Sequence, residues 1–179
     1  GLEEVGGGVG EKVRNCGTAG FVAAGEGQVG AVRALADLGC PMAEKDKAGW
    51  AAGLHAAQLG HVGAVQALAD SGGPMADKAN DGCTAAFLAA AEGHAEALRA
   101  LADLGCPMAE KANSGRTAAH YAAQVGHVEA LRALRDLGCP MAEKDNYGCT
   151  AAFPAAENGH AEALRALAEF GCPMAEKCK

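Results

Sequence analysis

Residues 25–30 read GEGQVG and match the spacing G-x-G-x-x-G. In a dinucleotide-binding turn, glycines at this spacing let the backbone approach a pyrophosphate at the N-terminus of a helix. The flanking residues fit such a turn, because the apolar run FVAA precedes the glycines and AVRALADL follows them. Whether this segment binds a nucleotide depends on what the equivalent positions hold elsewhere in the chain.

Sulfur and imidazole groups are the other chemical candidates. Eight cysteines could pair as disulfides or bind zinc together with histidine. Many of these residues recur in a fixed local context: GCP at Cys40, Cys106, Cys139 and Cys172, and GH at His61, His94, His127 and His160. There is no C-x-x-C pair, and no serine lies in a nucleophile-elbow pattern. The recurrence indicates a repeat rather than a catalytic site.

Displaced by 33 residues, the chain aligns with itself without insertion or deletion. We predict five copies, at residues 14–46, 47–79, 80–112, 113–145 and 146–179, with residues 1–13 as the tail end of a degenerate preceding copy. Only Gly27 of the GEGQVG segment recurs, as Gly60, Gly93, Gly126 and Gly159. That glycine is typical of a turn between helices, so no dinucleotide or other cofactor is expected.

Each copy has the pattern of two helices followed by a turn. In the copy from Asn80, Thr84 is predicted to cap a helix AAFLAAAEG, and Gly93 to end it. A second helix, AEALRALADL, carries an apolar stripe, and Pro107 prevents it from resuming. Since one copy cannot bury its apolar faces alone, the copies are expected to stack into an all-α solenoid with turn-rich connections.

Residues 112–127, ANSGRTAAHYAAQVGH, resemble the pattern D-x-x-G-x-T-P-L-H-x-A-A-x-x-G-H of ankyrin repeats. The resemblance covers essentially the whole chain. It departs where Pro-Leu-His would stand, which is Ala-Ala-Phe in two copies and Ala-Ala-His only at His120. It implies an ankyrin-type α-solenoid of stacked helix–turn–helix repeats with β-turn finger connections, in which the family histidine makes hydrogen bonds between repeats.

In such a stack, equivalent residues of neighbouring helices lie about 8–10 Å apart, whereas a disulfide needs Cα atoms within about 7 Å. The recurring cysteines are therefore predicted to be small buried hydrophobes, with no disulfide and no metal site. The histidine series is predicted to have a turn or capping role, and the recurring methionines a core role. No catalytic constellation is found, so the chain is not expected to be an enzyme.

Composition limits the partners. The net charge of −7 argues against nucleic-acid binding, and no apolar run approaches the ~20 residues that span a bilayer, so no direct membrane insertion is expected. Numerous free thiols favour an intracellular reducing compartment such as the cytoplasm, with organelle targeting left open because the N-terminus looks truncated. Although the copies are alike enough to suggest a designed array, Pro154 inside a helix and the cysteines favour recent duplication in a natural gene.

The resemblance implies that fingers and first helices line a concave surface that binds another protein. Variable positions there give nine candidate protein-binding residues: Lys47, Trp50, His55, Asp81, Leu88, Ser114, Arg116, Tyr121 and Tyr147. The predicted function is a non-catalytic interaction scaffold. The alternative is a structural subunit held permanently in a large assembly, including one at a membrane. Because the final copy keeps its interior pattern, the chain is expected to be a fragment of a longer array or to be covered at one end by another subunit.

Overall fold

A computed structural model describes residues 8–174 and 178, with side chains from residue 17 onward. The described residues form ten helices and contain no β-strand. The helices are α1 (Gly8–Gly25), α2 (Val29–Asp37), α3 (Ala52–Gln58), α4 (Val62–Asp70), α5 (Ala85–Ala91), α6 (Ala95–Asp103), α7 (Ala118–Val125), α8 (Val128–Asp136), α9 (Ala152–Glu157) and α10 (Ala161–Glu169).

The helices stack in two layers. The first helices of successive repeats contact one another in the order α1, α3, α5, α7, α9, and the second helices in the order α2, α4, α6, α8, α10. Each first helix also packs on the second helix of its own repeat. This arrangement confirms the predicted all-α solenoid.

Leucines of the second helices and alanines of the first helices form the core. Leu98, Leu101, Leu131 and Leu134 are fully buried, and each such side chain contributes about 1.5–3 kcal/mol through removal from water. Ala89, Ala90, Ala122 and Ala123 are also fully buried. Their small side chains allow neighbouring first helices to approach closely, which explains why alanine recurs there.

The turn between the two helices of a repeat is shaped by glycine and by a histidine of the next repeat. Gly126 ends α7 with φ 87°, a left-handed conformation that side chains disfavour. A Cβ at this position would lie 2.7 Å from Nδ1 of His160, and Nε2 of His160 lies 3.0 Å from the carbonyl oxygen of Gln124. The prediction of a turn or capping role for the histidines is thus confirmed as a turn role: His160 is the N-cap residue of α10 but makes no side-chain capping bond.

The first helix differs from the others. Residues 8–13, assigned above to the tail of a preceding copy, form the start of an 18-residue helix α1 instead of a finger. Two breakers are missing there, because Gly8 stands at the position of Pro41 and Cys16 at the position of Gly49. Without them the helix continues.

Fingers are joined by two ladders of side-chain contacts. Lysines pair with carboxylates of the next repeat at 2.6–2.8 Å: Lys45 with Asp77, Lys78 with Glu110, and Lys111 with Glu143. Asparagine side-chain amides donate to carbonyl oxygens of the preceding finger at 3.0–3.1 Å, from Asn80 to Lys47, from Asn113 to Asn80, and from Asn146 to Asn113. These contacts hold neighbouring fingers in register.

Candidate functional site

All nine predicted binding residues are exposed or half-buried. They lie on the surface formed by the fingers and the first helices, here called the finger face. Three other variable positions on these elements, Cys83, Cys149 and Pro154, are buried. Variation between copies therefore marks both surface and packing positions, and only exposure separates them.

Toward the N-terminal end, the finger face carries an aromatic cluster of Phe21, Trp50 and His55. The His55 ring lies between the other two, with centroid distances of 5.5 Å to Phe21 and 5.1 Å to Trp50. Its Nε2 is 3.2 Å from Oδ2 of Asp46. Burial raises the pKa of Asp46, but hydrogen bonds from the backbone N–H groups of Trp50 and Ala48 and from His55 outweigh burial, so that the pKa is lowered. The cluster is a half-buried aromatic surface with an ionised carboxylate beside it.

A second group, the tyrosine cluster, surrounds Tyr121 on α7. The Tyr121 ring lies 5.8 Å from that of Phe87, and the Cys83 thiol lies 3.7 Å from the Tyr121 hydroxyl. Arg116 belongs to the same cluster, donates to Oε1 of Gln124 at 2.7 Å and lies 3.7 Å from the buried carboxylate of Asp145. These contacts hold a phenol and a guanidinium on the finger face, each against its own neighbours.

The remaining predicted residues differ in role. Oδ1 of Asp81 accepts a bond from the Cys83 N–H at 2.9 Å, and Oγ of Ser114 accepts one from the Arg116 N–H at 3.4 Å. Both side chains therefore shape their finger turns. Tyr147 is 64% exposed at a finger tip. Lys47 is exposed, and Leu88 is half-buried on α5.

The repeat that holds His120 contains the complete hydrogen-bond network implied by the family histidine. Nδ1 of His120 lies 2.9 Å from the Thr117 hydroxyl, and its Nε2 lies 3.0 Å from the carbonyl oxygen of Cys149 in the next repeat. Burial lowers the pKa of His120. In the preceding repeat Phe87 replaces histidine, and the buried Thr84 hydroxyl has no partner. Thr84 is therefore the N-cap residue of α5, as predicted, but its hydroxyl makes no capping bond.

The prediction that the chain has no disulfide is also wrong. Cys149 and Cys178 are bonded, with Cα atoms 4.9 Å apart, and Cys40 is disulfide-bonded as well. The prediction considered residues one full repeat apart, whereas Cys149 and Cys178 are 29 residues apart. One repeat earlier, the same two positions hold Arg116 and Asp145, which form the ion pair described above. The expectation of a reducing compartment loses its support at these cysteines.

The free cysteines are packing residues. Thiols of Cys106 and Cys139 donate to the carbonyl oxygens of Met75 and Met108, one repeat earlier, at 3.5 Å each. Burial raises the pKa of Cys106, and raises that of Cys83 and of Cys139 to about 11. These thiols stay protonated at neutral pH and are poor nucleophiles. Within the described residues, no group of three or more His, Cys, Asp or Glu is arranged to hold a metal ion.

The second helices carry salt bridges on their outer surface. Arg99 pairs with Glu96 at 2.7 Å and Arg132 with Glu129 at 3.7 Å, while Arg165 pairs with Glu162. Such exposed pairs contribute at most about 1 kcal/mol. Along α6, α8 and α10 the outer surface thus carries the same self-paired charges in each repeat. Of the helices the structure describes, none is sufficiently long and apolar to cross a bilayer.

Comparison with known proteins agrees with this architecture. Curated proteins give no match to the chain. A family model described as "Ankyrin repeats (3 copies)" matches residues 20–112 and 105–178, which together cover most of the sequence. The repeat period, the helix pairs and the finger turns are common to that family, so the chain belongs to the ankyrin-repeat family.

Proposed function

We propose that this protein is a non-catalytic interaction scaffold that binds a partner protein through its finger tips and the concave face of its first helices. Ankyrin repeats generally mediate protein–protein interactions. The observation that carries the proposal is the contrast between the two surfaces of the stack. The outer surface is lined by self-paired Glu–Arg ions, whereas the finger face presents aromatic and guanidinium groups.

Trp50, Tyr121 and Arg116 are the residue types that most often dominate the binding energy of interfaces. Each is half-buried and held by neighbours: Trp50 by the His55 ring, Tyr121 by Phe87, and Arg116 by Gln124. A side chain already held in place loses little conformational entropy when a partner binds. These contacts support the finger face as a preorganised binding surface.

The proposal is tested by purifying partners from the native source with three baits. The first is the wild-type chain, the second combines Trp50→Ala, Arg116→Ala and Tyr121→Ala, and the third, a control on the outer surface, combines Glu96→Ala and Arg132→Ala. We expect the wild type and the control to recover the same partner and the finger-face variant to lose it. Thermal melts of all three must show folded protein. Loss of the partner with the control alone would place the interface on the outer helices.

The alternative is a subunit held permanently in an assembly. It would use the same binding surface as an adaptor but would differ in its rate of exchange with free chain. A reversible adaptor exchanges with added free chain within the residence time of an ordinary complex, which ranges from milliseconds to days. A permanent subunit does not exchange without disassembly of its complex. Adding an excess of tagged chain to the purified complex and following its incorporation distinguishes the two.

A further inference from the structure

The last repeat exposes apolar residues that the preceding repeats bury. Phe153 and Met174 are 46% and 45% exposed, whereas their equivalents Phe87 and Met141 are 1% and 6% exposed. Leu164 and Ala156 show the same difference from their buried equivalents Leu131 and Ala123. These residues line a groove of about 470 Å³. We name this set, Phe153, Ala156, Leu164 and Met174, the trailing surface.

The first repeat exposes a different set. Ala31, Ala34 and Leu35 are exposed or half-buried, although their equivalents Ala64, Ala67 and Leu68 are buried. Beside them, Leu38 is 80% and Val22 58% exposed. The groove they line has a volume of about 700 Å³. We name Ala31, Ala34, Leu35 and Leu38 the leading surface.

These two surfaces are the two halves of one repeated contact. At each junction inside the array, the equivalents of the trailing surface in one repeat and of the leading surface in the next become buried or half-buried as the helices stack. The chain thus exposes the leading surface in its first repeat and the trailing surface in its last repeat. A second copy of the chain supplies the complement of both, because the contact it would make already exists four times within each molecule.

Charged residues at the two ends are compatible with a second copy stacked as the next repeat. Arg33 lies 3.9 Å from Asp70 across the first junction. A second copy placed one repeat beyond the last would bring its Asp37 to the equivalent position opposite Arg165. The net charge of −7 on each copy opposes association, and salt screens this repulsion while leaving the apolar contact intact.

We infer that the 179-residue chain associates end to end, with the trailing surface of one copy stacked on the leading surface of the next. The contact is heterologous, since each copy uses two different surfaces, and such contacts extend into rows unless the rotation closes a ring. The association goes beyond the proposed partner binding, because it leaves the finger face free.

Sedimentation of the wild-type chain from about 1 µM to about 1 mM, the range of weak protein contacts, tests the inference. We expect the average mass to rise with concentration, and to rise further with added salt. Leu38→Glu alters the leading surface, Phe153→Glu alters the trailing surface, and Val125→Glu is a control at an exposed residue of α7. Circular dichroism checks that each variant is folded.

Each end variant alone should remain monomeric, and the control should associate like the wild type. An equimolar mixture of the two end variants should form a dimer and nothing larger, since only one intact surface of each is available. A wild-type chain that stays monomeric throughout would overturn the inference and leave the surfaces to other occupants. Loss of association in Phe153→Glu but not in Leu38→Glu would also overturn it, because two trailing surfaces would then be pairing.

Discussion

At the scale of single residues, the chain contains the same buried threonine in two hydrogen-bonding states. The Thr117 hydroxyl bonds to Nδ1 of His120, whereas the Thr84 hydroxyl is buried beside Phe87 without a partner. An unpaired buried hydroxyl costs free energy, while a paired one contributes about 1 kcal/mol. The histidine-to-phenylalanine change has therefore left an uncompensated polar atom in the core.

Valine at these two positions should have opposite effects on stability. Thr84→Val removes the unpaired hydroxyl while keeping the shape, so we expect the free energy of unfolding to rise by about 1 kcal/mol. Thr117→Val breaks a bond and should lower it by a similar amount. Urea unfolding of both variants measures the two changes. Equal losses would mean that the Thr84 hydroxyl has a partner after all.

His120 should make stability depend on pH. Its Nδ1 lies within hydrogen-bond distance of the Thr117 N–H and hydroxyl, so protonation disrupts the network, and burial lowers the pKa of His120 below its ordinary value of 6.5. The unfolded chain then binds more protons than the folded one below about pH 6.5, and stability falls on acidification.

The matched variant is His120→Phe, which copies the residue found at Phe87. It should be less stable than the wild type at pH 7.5 and lose less of its remaining stability between about pH 7 and pH 5, by about 1.4 kcal/mol for each unit of the pKa shift. Urea unfolding across this range gives both profiles. Parallel profiles would show that His120 does not titrate with unfolding.

At the scale of helices and turns, most of the fold is predictable from breakers and periodicity. The helices expected at residues 85–93 and 95–104 occur as Ala85–Ala91 and Ala95–Asp103, because glycine and proline mark their ends. Helix α1 was not predictable from the repeat alone, since its breakers are replaced. Ladders between fingers could not be predicted either, because a contact such as Lys78–Glu110 depends on the register of stacked repeats.

Alanine substitutions at two glycines can separate the stability cost of a strained backbone conformation from the cost of a clash with the next repeat. Both Gly126 and Gly138 have positive φ, but only a Cβ at Gly126 would meet the His160 ring, since a Cβ at Gly138 meets nothing within 4 Å. Gly138→Ala should cost about 1 kcal/mol from backbone strain. Gly126→Ala should cost more by at least about 1 kcal/mol, because a packed ring must move. Equal losses in thermal or urea unfolding would show that His160 yields freely.

At the scale of the whole molecule, variation between copies indicated residues on the finger face but did not separate exposed positions from buried ones. Variation occurs at Trp50, Arg116 and Tyr121, which are exposed to solvent in part, and also at Cys83 and Cys149, which are buried and were not among the nine candidates. The 29-residue spacing between Cys149 and Cys178 is a signal that a search restricted to the 33-residue period misses. Such a contact joins the end of one finger to the start of the next.

The Cys149–Cys178 disulfide should be detectable by chemical labelling of the denatured chain. Alkylating the denatured, unreduced chain should leave Cys149 and Cys178 unlabelled and label the free cysteines: Cys83, Cys106, Cys139 and Cys172. Proteolysis and mass spectrometry should recover a peptide that links the first two residues. Labelling of Cys149 before reduction would show that the bond does not form and would restore the premise of a reducing compartment.

Stability should be greatest in the middle of the array, because the stability of a stacked repeat depends on its neighbours. Repeats from Thr84 to Leu137 have a described neighbour on both sides, whereas the leading and trailing surfaces leave Leu35 and Leu164 incompletely buried.

Hydrogen exchange of dilute chain should therefore show the highest protection between Thr84 and Leu137 and lower protection in α2 and α10. Raising the concentration to the range in which sedimentation detects association should increase the protection of both end helices and leave α6 and α8 unchanged, since stacking copies give the ends their missing neighbours. The Phe153→Glu chain serves as the control, because its protection should not respond to concentration. If α10 in dilute chain is already as protected as α6, the end repeats are self-sufficient, and an association between chains then adds nothing to their stability.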